Sequence, residues 1–495
     1  MTHVSFAAVY GWELRHTCRS PLLWAIVAVL LLSFAWGAHN AAHLHRLQNE
    51  AQANARRLEQ EWDAGVRAKA EEYRVSASQP LPYWQDPTDI AGFSQYFLFK
   101  HSVKPHLPAS PLAAGVSDLL PSRLRVKLPT PFALDSSYDF HNPRALALGP
   151  FDLAFAIVYL LPVALILAFG LLGTFERDRG VLRLIAAQSV APATWMGARV
   201  GAVATVMLPA IWVSLLIALA AAGVPLLAAA PEMIAALLLV GAYALFWMAL
   251  NYWVLSRWPR APEAVGALVV VWAMLVIGVP LIANSALSLL APGTSAAEYV
   301  DAKRRIDDQV QADGDDIVAA AFKATPALAN LVDRMSSIDY ATRLTFIAPE
   351  NERRLAALKA RSDAARWVQD RAATWISLVT PPMGVETALM RLAGTDLQRH
   401  RDFEQQTREY QLQLRSYLYP LIHAQIVTPT PRPAPQSYGR FSFTDYESVP
   451  SFQMRAESSA ARVASAVPIT VWLCVLAVLM AVAAVRRSRR WPKDL

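Results

Sequence analysis

Cysteine is nearly absent: only Cys18 and Cys474 occur in 495 residues, both beside or within apolar stretches near the chain ends. The long polar segments between them hold no disulfide, so packed cores must stabilise them. The short motifs that announce catalysis are missing too. Without a GK[ST] loop the chain has no nest of backbone amides to cradle ATP. Without HExxH or GxSxG, zinc-protease and serine-hydrolase chemistry lack their starting residues. No catalytic residue, bound cofactor or metal is expected in this chain. Charge is also sparse, at 17% of residues against 55% hydrophobic. That balance is too apolar for an ordinary soluble protein and too charged for one lying wholly in lipid.

Six segments are long and almost free of charge, at 21–38, 151–173, 200–223, 233–255, 264–284 and 468–485. Each approaches or exceeds the roughly 18–20 apolar residues a helix needs to cross a bilayer core. The first is not read as a cleaved signal peptide. A 20-residue amphipathic leader precedes it, and Ala35-Trp36-Gly37 runs straight into a helical pattern.

With six spans, thirteen Lys and Arg residues flank them on one side, among them Arg15, Arg19, Arg177, Arg179, Arg183, Arg199 and the tail 486–495. Only five acidic residues share that side: Glu13, Glu176, Asp178, Glu263 and Asp494. The whole formal excess of +7 therefore lies on one face, assigned to the cytosol by the positive-inside rule. The basic balance reports topology, and nucleic acid is not expected as a partner. Scarce cysteine and this charge pattern fit a multi-pass bacterial inner-membrane protein with both termini in the cytosol.

The chain then divides into a cytosolic interfacial helix (1–20), the spans, two periplasmic segments (39–150 and 285–467), a charged inward turn (174–199) and the basic tail. The expected fold class is an all-α polytopic membrane protein with six transmembrane helices and two largely helical periplasmic segments, with minor β in the first. Leu44, Leu47, Ala51, Ala55, Leu58, Trp62, Val66 and Tyr73 recur at near-helical spacing. They predict that span one continues to Arg74, projecting on the order of 50 Å. Prolines crowd residues 80–125, where Arg123 to Leu128 alternates like a brief strand. The second segment predicts helices at 296–312, 315–336, 350–378, 382–393 and 396–419, the last stopped by Pro420. The tract TPTPRPAP (428–435) predicts an extended strap.

Several polar groups invite a chemical reading. His39 and His43 share a helix face beside His45, a spacing that can hold a metal, but no cysteine is near. An interfacial helix start explains them better. Asp313, Asp315 and Asp316 around Gly314 resemble part of a calcium loop without its terminal Glu, so a turn and helix cap are expected. Asp152 is read as the N-cap of span two, and Asn251 and Tyr252 as groups that bond between helices.

The stretch 174–195 differs. Positive-inside flanking explains its arginines, but not the interleaved Glu176 and Asp178, nor the amphipathic run Val181, Leu182, Leu184, Ile185 after Gly180. Mixed charge on a short amphipathic element suits a protein groove better than lipid headgroups. WELRHTCRSP (Trp12 to Pro21) and FERDRGVLRLIAAQSVAP (Phe175 to Pro192) resemble the membrane subunit of type-2 ATP-binding-cassette exporters. In that family E-R-E-x-G-T-L-x-x-L-x-x-x-P-V-S follows span two and touches the ATPase. This chain keeps Glu176, Arg177, Gly180 and Leu182, with Asp178 for the second Glu, Val181 for Thr, and Gln188 to Ala191 near the Pro-Val-Ser position. Gly149 to Ala168 and Leu392 to Tyr410 resemble a bacterial branch with two large extracytoplasmic segments.

The resemblance implies a permease paired with a second permease chain, the same or related, in the membrane lipid. A cytosolic ABC ATPase dimer would bind ATP and Mg. Glu176, Arg177, Asp178, Arg179, Gly180 and Arg183, with Glu13 and Arg15 of the leader, are the expected ATPase-coupling residues. A loop of the EAA-x3-G kind used by binding-protein-dependent importers is absent, which favours export. The alternative is a transport-inactive mechanotransmitter that passes ATPase motion to a periplasmic partner.

Overall fold

A computed structural model describes residues 5–76, 81–129, 151–173, 191–258, 261–290, 295–427 and 442–489. The charged stretch 174–190, the proline tract 428–435 and the end of the basic tail lie outside the described residues. The chain is an all-α polytopic membrane protein with six helices long and apolar enough to cross a bilayer. Hydrocarbon offers no partner for backbone N–H and C=O groups, so each spanning segment closes its own hydrogen bonds as a helix.

The leader forms α1 (Phe6–Cys18), and span one is the start of α2 (Pro21–Ser76). Span two, α3, joins Leu153–Phe155, a π-helical turn Ala156–Leu160 and Leu161–Gly173. Spans three and four are α4 (Pro192–Ala221) and α5 (Ala230–Arg257). Span five, α6, joins Ala261–Ala273, a π-helical turn Met274–Gly278 and Val279–Leu290. The extramembrane helices are α7 (Ala296–Ala312), α8 (Gly314–Ala324), α9 (Tyr340–Val379), α10 (Pro381–Ala393) and α11 (Leu397–Val427); span six is α12 (Ser459–Ser488).

α3 and α5 form the inside of the bundle: 78% of the most apolar stretch of α5 is buried, against 11% for α6. The most extensive helix pair is α5 with α12. It is pinned at one end by the buried pair Glu232–Arg462 at 2.5 Å and at the other by Tyr252 Oη and Ser488 Oγ at 3.3 Å. Tyr252 thus bonds between helices, while Asn251 Nδ2 donates to Trp247 O of its own helix. Small residues set the closest approaches. A Cβ at Gly37 of α2 would sit 2.6 Å from the backbone carbonyl of Asp152. Asp152 caps α3 through Phe155 N at 2.7 Å and also accepts from Ala114 N at 2.7 Å. Burial pushes its carboxyl up from the usual range, against the pull of those backbone donors.

α2 continues unbroken for 56 residues, about 84 Å, from inside the bilayer into the extramembrane domain. There the two long segments build one core together. Val66 of α2, Ile90 and Phe93, and Val126 pack with Tyr410, Leu414, Leu418 and Ile422 of α11 and with Phe443. A two-stranded antiparallel sheet, β1 (Lys100–Val103) with β2 (Arg123–Val126), pairs Lys100 with Val126 and Val103 with Arg123. A second core joins Val310, Val318 and Phe322 to Phe346, Ile347 and Ile426. Both cysteines are free and exposed.

Two helix boundaries differ from the periodicity reading. The expected helix 315–336 breaks at Thr325, whose extended backbone (φ −97°, ψ 111°) precedes Pro326 and gives way to a 3-10 segment Ala329–Ser337. Proline disfavours the helical region for the residue before it. Pro420, expected to stop α11, instead lies inside it, and the helix runs to Val427. Leu418, Ile422 and Ile426 fall on one buried face spaced by four. Their burial outweighs the single hydrogen bond a proline removes.

The Gly37 contact gives a sharp test. Gly37→Leu forces α2 away from the start of α3 and is expected to lower the thermal midpoint in detergent by several degrees or abolish folded yield. Gly65→Ala, where nothing lies within 4 Å of the new Cβ, is expected to leave it unchanged or raise it slightly, since Ala favours helix by about 1 kcal/mol.

Candidate functional site

Of the expected coupling residues, Glu176, Arg177, Asp178, Arg179, Gly180 and Arg183 lie outside the described residues, while Glu13 and Arg15 of α1 are described. The leader's apolar residues Phe6, Val9 and Tyr10 recur every three or four positions, and Glu13 falls on the same stripe. Helical spacing therefore turns Glu13 inward, and it is 1% exposed. Its Oε1 accepts from Trp195 Nε1 at 3.1 Å, and its Oε2 lies 3.7 Å from Arg199 Nε. Trp195 and Arg199 occupy the first turns of α4, with the Arg199 guanidinium 5.2 Å from the Trp195 ring. Tyr10 Oη and Thr205 Oγ1 are 2.7 Å apart, and Gly201 leaves room for the Tyr10 ring.

α1 is thus clamped along the foot of α4, the helix that follows directly from the 174–190 stretch. Glu13 acts inside the chain as the anchor of that clamp. Arg15, two residues on, is exposed, as is Trp12 on the opposite face from Tyr10. Trp195 and the pairing of Arg199 with Glu13 were missed from sequence, where Arg199 counts only as a flanking charge. An acid on the apolar stripe of α1 was the available signal, because a carboxylate there requires a cationic partner.

The histidines after span one separate into two kinds. His39 and His43 are exposed, their rings stacked at 6.5 Å. His45 turns inward, 4% exposed, with its ring 4.6 Å from that of His106. Beside them Lys104 Nζ lies 3.2 Å from His400 Nδ1, and Arg399 donates to the carbonyl of Pro105 at 2.5 Å. Burial, helped by the charge of Lys104, holds His45 down at about 4. Burial, then His45, Lys104 and Arg399, hold His106 at about 3. Burial and Arg399 lower Lys104 to about 8. The cluster locks α2, the segment after β1 and α11 together. Among the described residues, no three His, Cys, Asp or Glu side chains come together as a metal site. Asp313 pairs with Arg354 at 2.6 Å and Asp315 with Arg343 at 2.5 Å, so the acidic turn is bound by arginines.

A groove of about 420 Å³ opens between α2, β1 and the return segment, lined by Glu59, Asp63, His101, Phe452 and Met454 among others. Its acids are already engaged: Lys100 Nζ lies 3.1 Å from Glu59 and 2.6 Å from Asp63.

Two measurements check these assignments. Removing one partner of a buried ion pair costs about 3–5 kcal/mol. Glu13→Ala should therefore free α1 from α4 and expose Arg15 and Arg19 to trypsin at least tenfold faster, with Glu13→Gln intermediate. The histidine cluster sets a pH dependence. Both rings are held neutral in the fold, so stability is full above the unfolded value near 6.5. It falls as pH drops toward about 4 for His45 and about 3 for His106, by up to about 1.4 kcal/mol per pH unit for each. Thermal midpoints between pH 7 and 4 should show this loss, and His45→Phe should reduce it.

Residues 296–455 match the model of a family described as a domain of unknown function (DUF3526). The match takes in α7 to α11 and part of the return segment, and stops short of span six. No curated protein and no solved structure matches the chain.

Proposed function

We propose that this chain is the permease subunit of a transporter driven by a separate cytosolic ABC ATPase, which binds ATP and Mg. The observation that carries the reading is the clamp of α1 on the foot of α4 through Glu13, Trp195 and Arg199. A push delivered to residues 174–190 arrives at the first turn of α4, and the leader moves with it. Glu176, Arg177, Asp178, Arg179 and Arg183 supply the charged contacts, Gly180 the tight entry, and Arg15 an exposed charge on the leader. Rim contacts of this kind are worth about 1 kcal/mol each at most, so coupling requires several together. The permease sits in the bacterial inner membrane with both termini in the cytosol and works as a dimer with the same or a related chain. Export is favoured by the missing importer loop.

A second reading has its own support. α2 is one unbroken helix from the bilayer to the distal core around Val66. Such a bar would carry ATPase motion to an extramembrane partner with no cargo passing between the spans. Reconstitution with the cognate ATPase in closed vesicles separates the two, because only the first moves cargo.

The shared claim is tested by reversing two charges at once. In the complex purified from its native membrane, Glu176→Arg with Arg179→Glu is expected to lose at least tenfold of the co-purifying, permease-dependent ATP hydrolysis while keeping wild-type thermal stability. Unchanged hydrolysis, or a purified complex with no ATPase in it, defeats the reading.

A further inference from the structure

The C-terminal half of α9 carries an apolar stripe that no part of the chain covers. Trp367, Val368, Trp375 and Val379 are 57%, 47%, 64% and 70% exposed. Positions 367, 371, 375 and 379 repeat every four residues and therefore share one helix face. Arg371 interrupts the stripe with its guanidinium 4.6 Å from the Trp367 ring. Four large apolar residues on one helix face would be a costly surface to leave in water.

The position of this face in the molecule identifies what covers it. α9 ends at Val379 and turns through Thr380 into α10, whose Leu389 and Leu392 belong to the same core as the spans. At that turn Gly384 is pressed between the carbonyl of Ser377 and the side chain of Ile469. Ile469 lies one residue inside the apolar stretch of span six, so the end of α9 stands at the edge of the hydrocarbon layer. α9 also touches the neighbouring end of span five. There Leu281, Ile282 and Leu289 are exposed on a helix that crosses the bilayer. The stripe continues a lipid-facing surface.

We propose that the C-terminal half of α9 lies against the bilayer surface beneath the extramembrane domain, with Trp375 and Val379 at the acyl boundary and Trp367 and Arg371 among the headgroups. The residue types match their depths. Indole rings favour the interface, where an apolar body meets a polar N–H, and an arginine reaches headgroup phosphates. Eight residues separate the two tryptophans, about 12 Å along the helix. The lipid contact anchors the extramembrane domain at a second point, beside the spans themselves.

The full-length chain, with Cys18→Ser and Cys474→Ser, provides a background for single labels. Trp375→Cys and Val379→Cys, each labelled with an environment-sensitive fluorophore, are placed in phosphatidylcholine nanodiscs containing acyl-chain doxyl quenchers. Leu281→Cys on span five is the lipid reference and Ala64→Cys on exposed distal α2 the aqueous one. Quenching at 375 and 379 is expected to exceed that at 64 at least threefold and to approach that at 281. Quenching at the level of 64 overturns the proposal. So does low quenching accompanied by disulfide formation between copies through the cysteine at 375, which would assign the face to a second copy of this chain.

Discussion

Asp152 is the point on which the architecture turns. Its carboxylate caps the first turn of span two and at the same time holds the amide of Ala114 in the extramembrane domain. Its backbone lies so close to span one that only glycine fits at position 37. Asn40 Nδ2, one turn on, donates to Phe151 O at 2.9 Å and reinforces the same junction. Three parts of the chain that share no local sequence are fixed by one side chain and one missing side chain. A carboxyl group buried at this boundary is costly unless donors satisfy it, and the donors come from both the span and the domain above it. Neither can shift without stranding the acid.

The six spans were legible because a bilayer imposes length and apolarity on each segment separately. The N-cap role of Asp152 was legible for a similar reason, since capping is local. Legibility ended where a residue's partner lies far along the chain. Nothing near Val66 announces that it packs in one cluster with Leu414 and Phe443. Nothing near His45 announces His106. The misread helix ends have physical causes of the same kind. At Thr325 the following proline set the local backbone, whereas at Pro420 the buried face of Leu418, Ile422 and Ile426 overrode the proline. Local rules decide where tertiary burial is weak and yield where it is strong. Of the candidate coupling residues, Glu13 was readable as an inward acid from its place on the apolar stripe, but its partner on α4 was not.

The extramembrane domain does not hang from the spans by loops. α2 enters it as a continuous helix, and α10 packs into the span core with Val385, Leu389 and Leu392. Arg391 bridges Asp396 at 3.1 Å and Glu457 at 2.8 Å, tying α10 to the return segment just before span six. Five residues after Glu457, Arg462 reaches Glu232 of span four. Ion pairs at this depth are screened less than surface pairs and fail badly when one partner is lost. The domain and the outer third of the bundle therefore form one mechanical unit, with charge pairs at the seam and apolar packing on both sides.

That rigidity bears on how motion would travel on the proposed reading. α4 packs along both α1 and α2, so a displacement of the leader and the foot of span three acts on the lower part of the long helix. A rigid bar of about 84 Å tilted by about 5° moves its far end by about 7 Å, more than one helical turn. The distal core around Val66 must either follow that movement or let α2 slide against α11. The neutral His45 and His106 pair and the Lys104–His400 contact, midway along the bar, oppose sliding because separating them would leave polar groups buried without partners. The consistent outcome is that α2, α11 and the sheet swing together as one body about the Gly37–Asp152 junction. Force applied at the membrane's other face would then appear as a concerted displacement of the extramembrane domain.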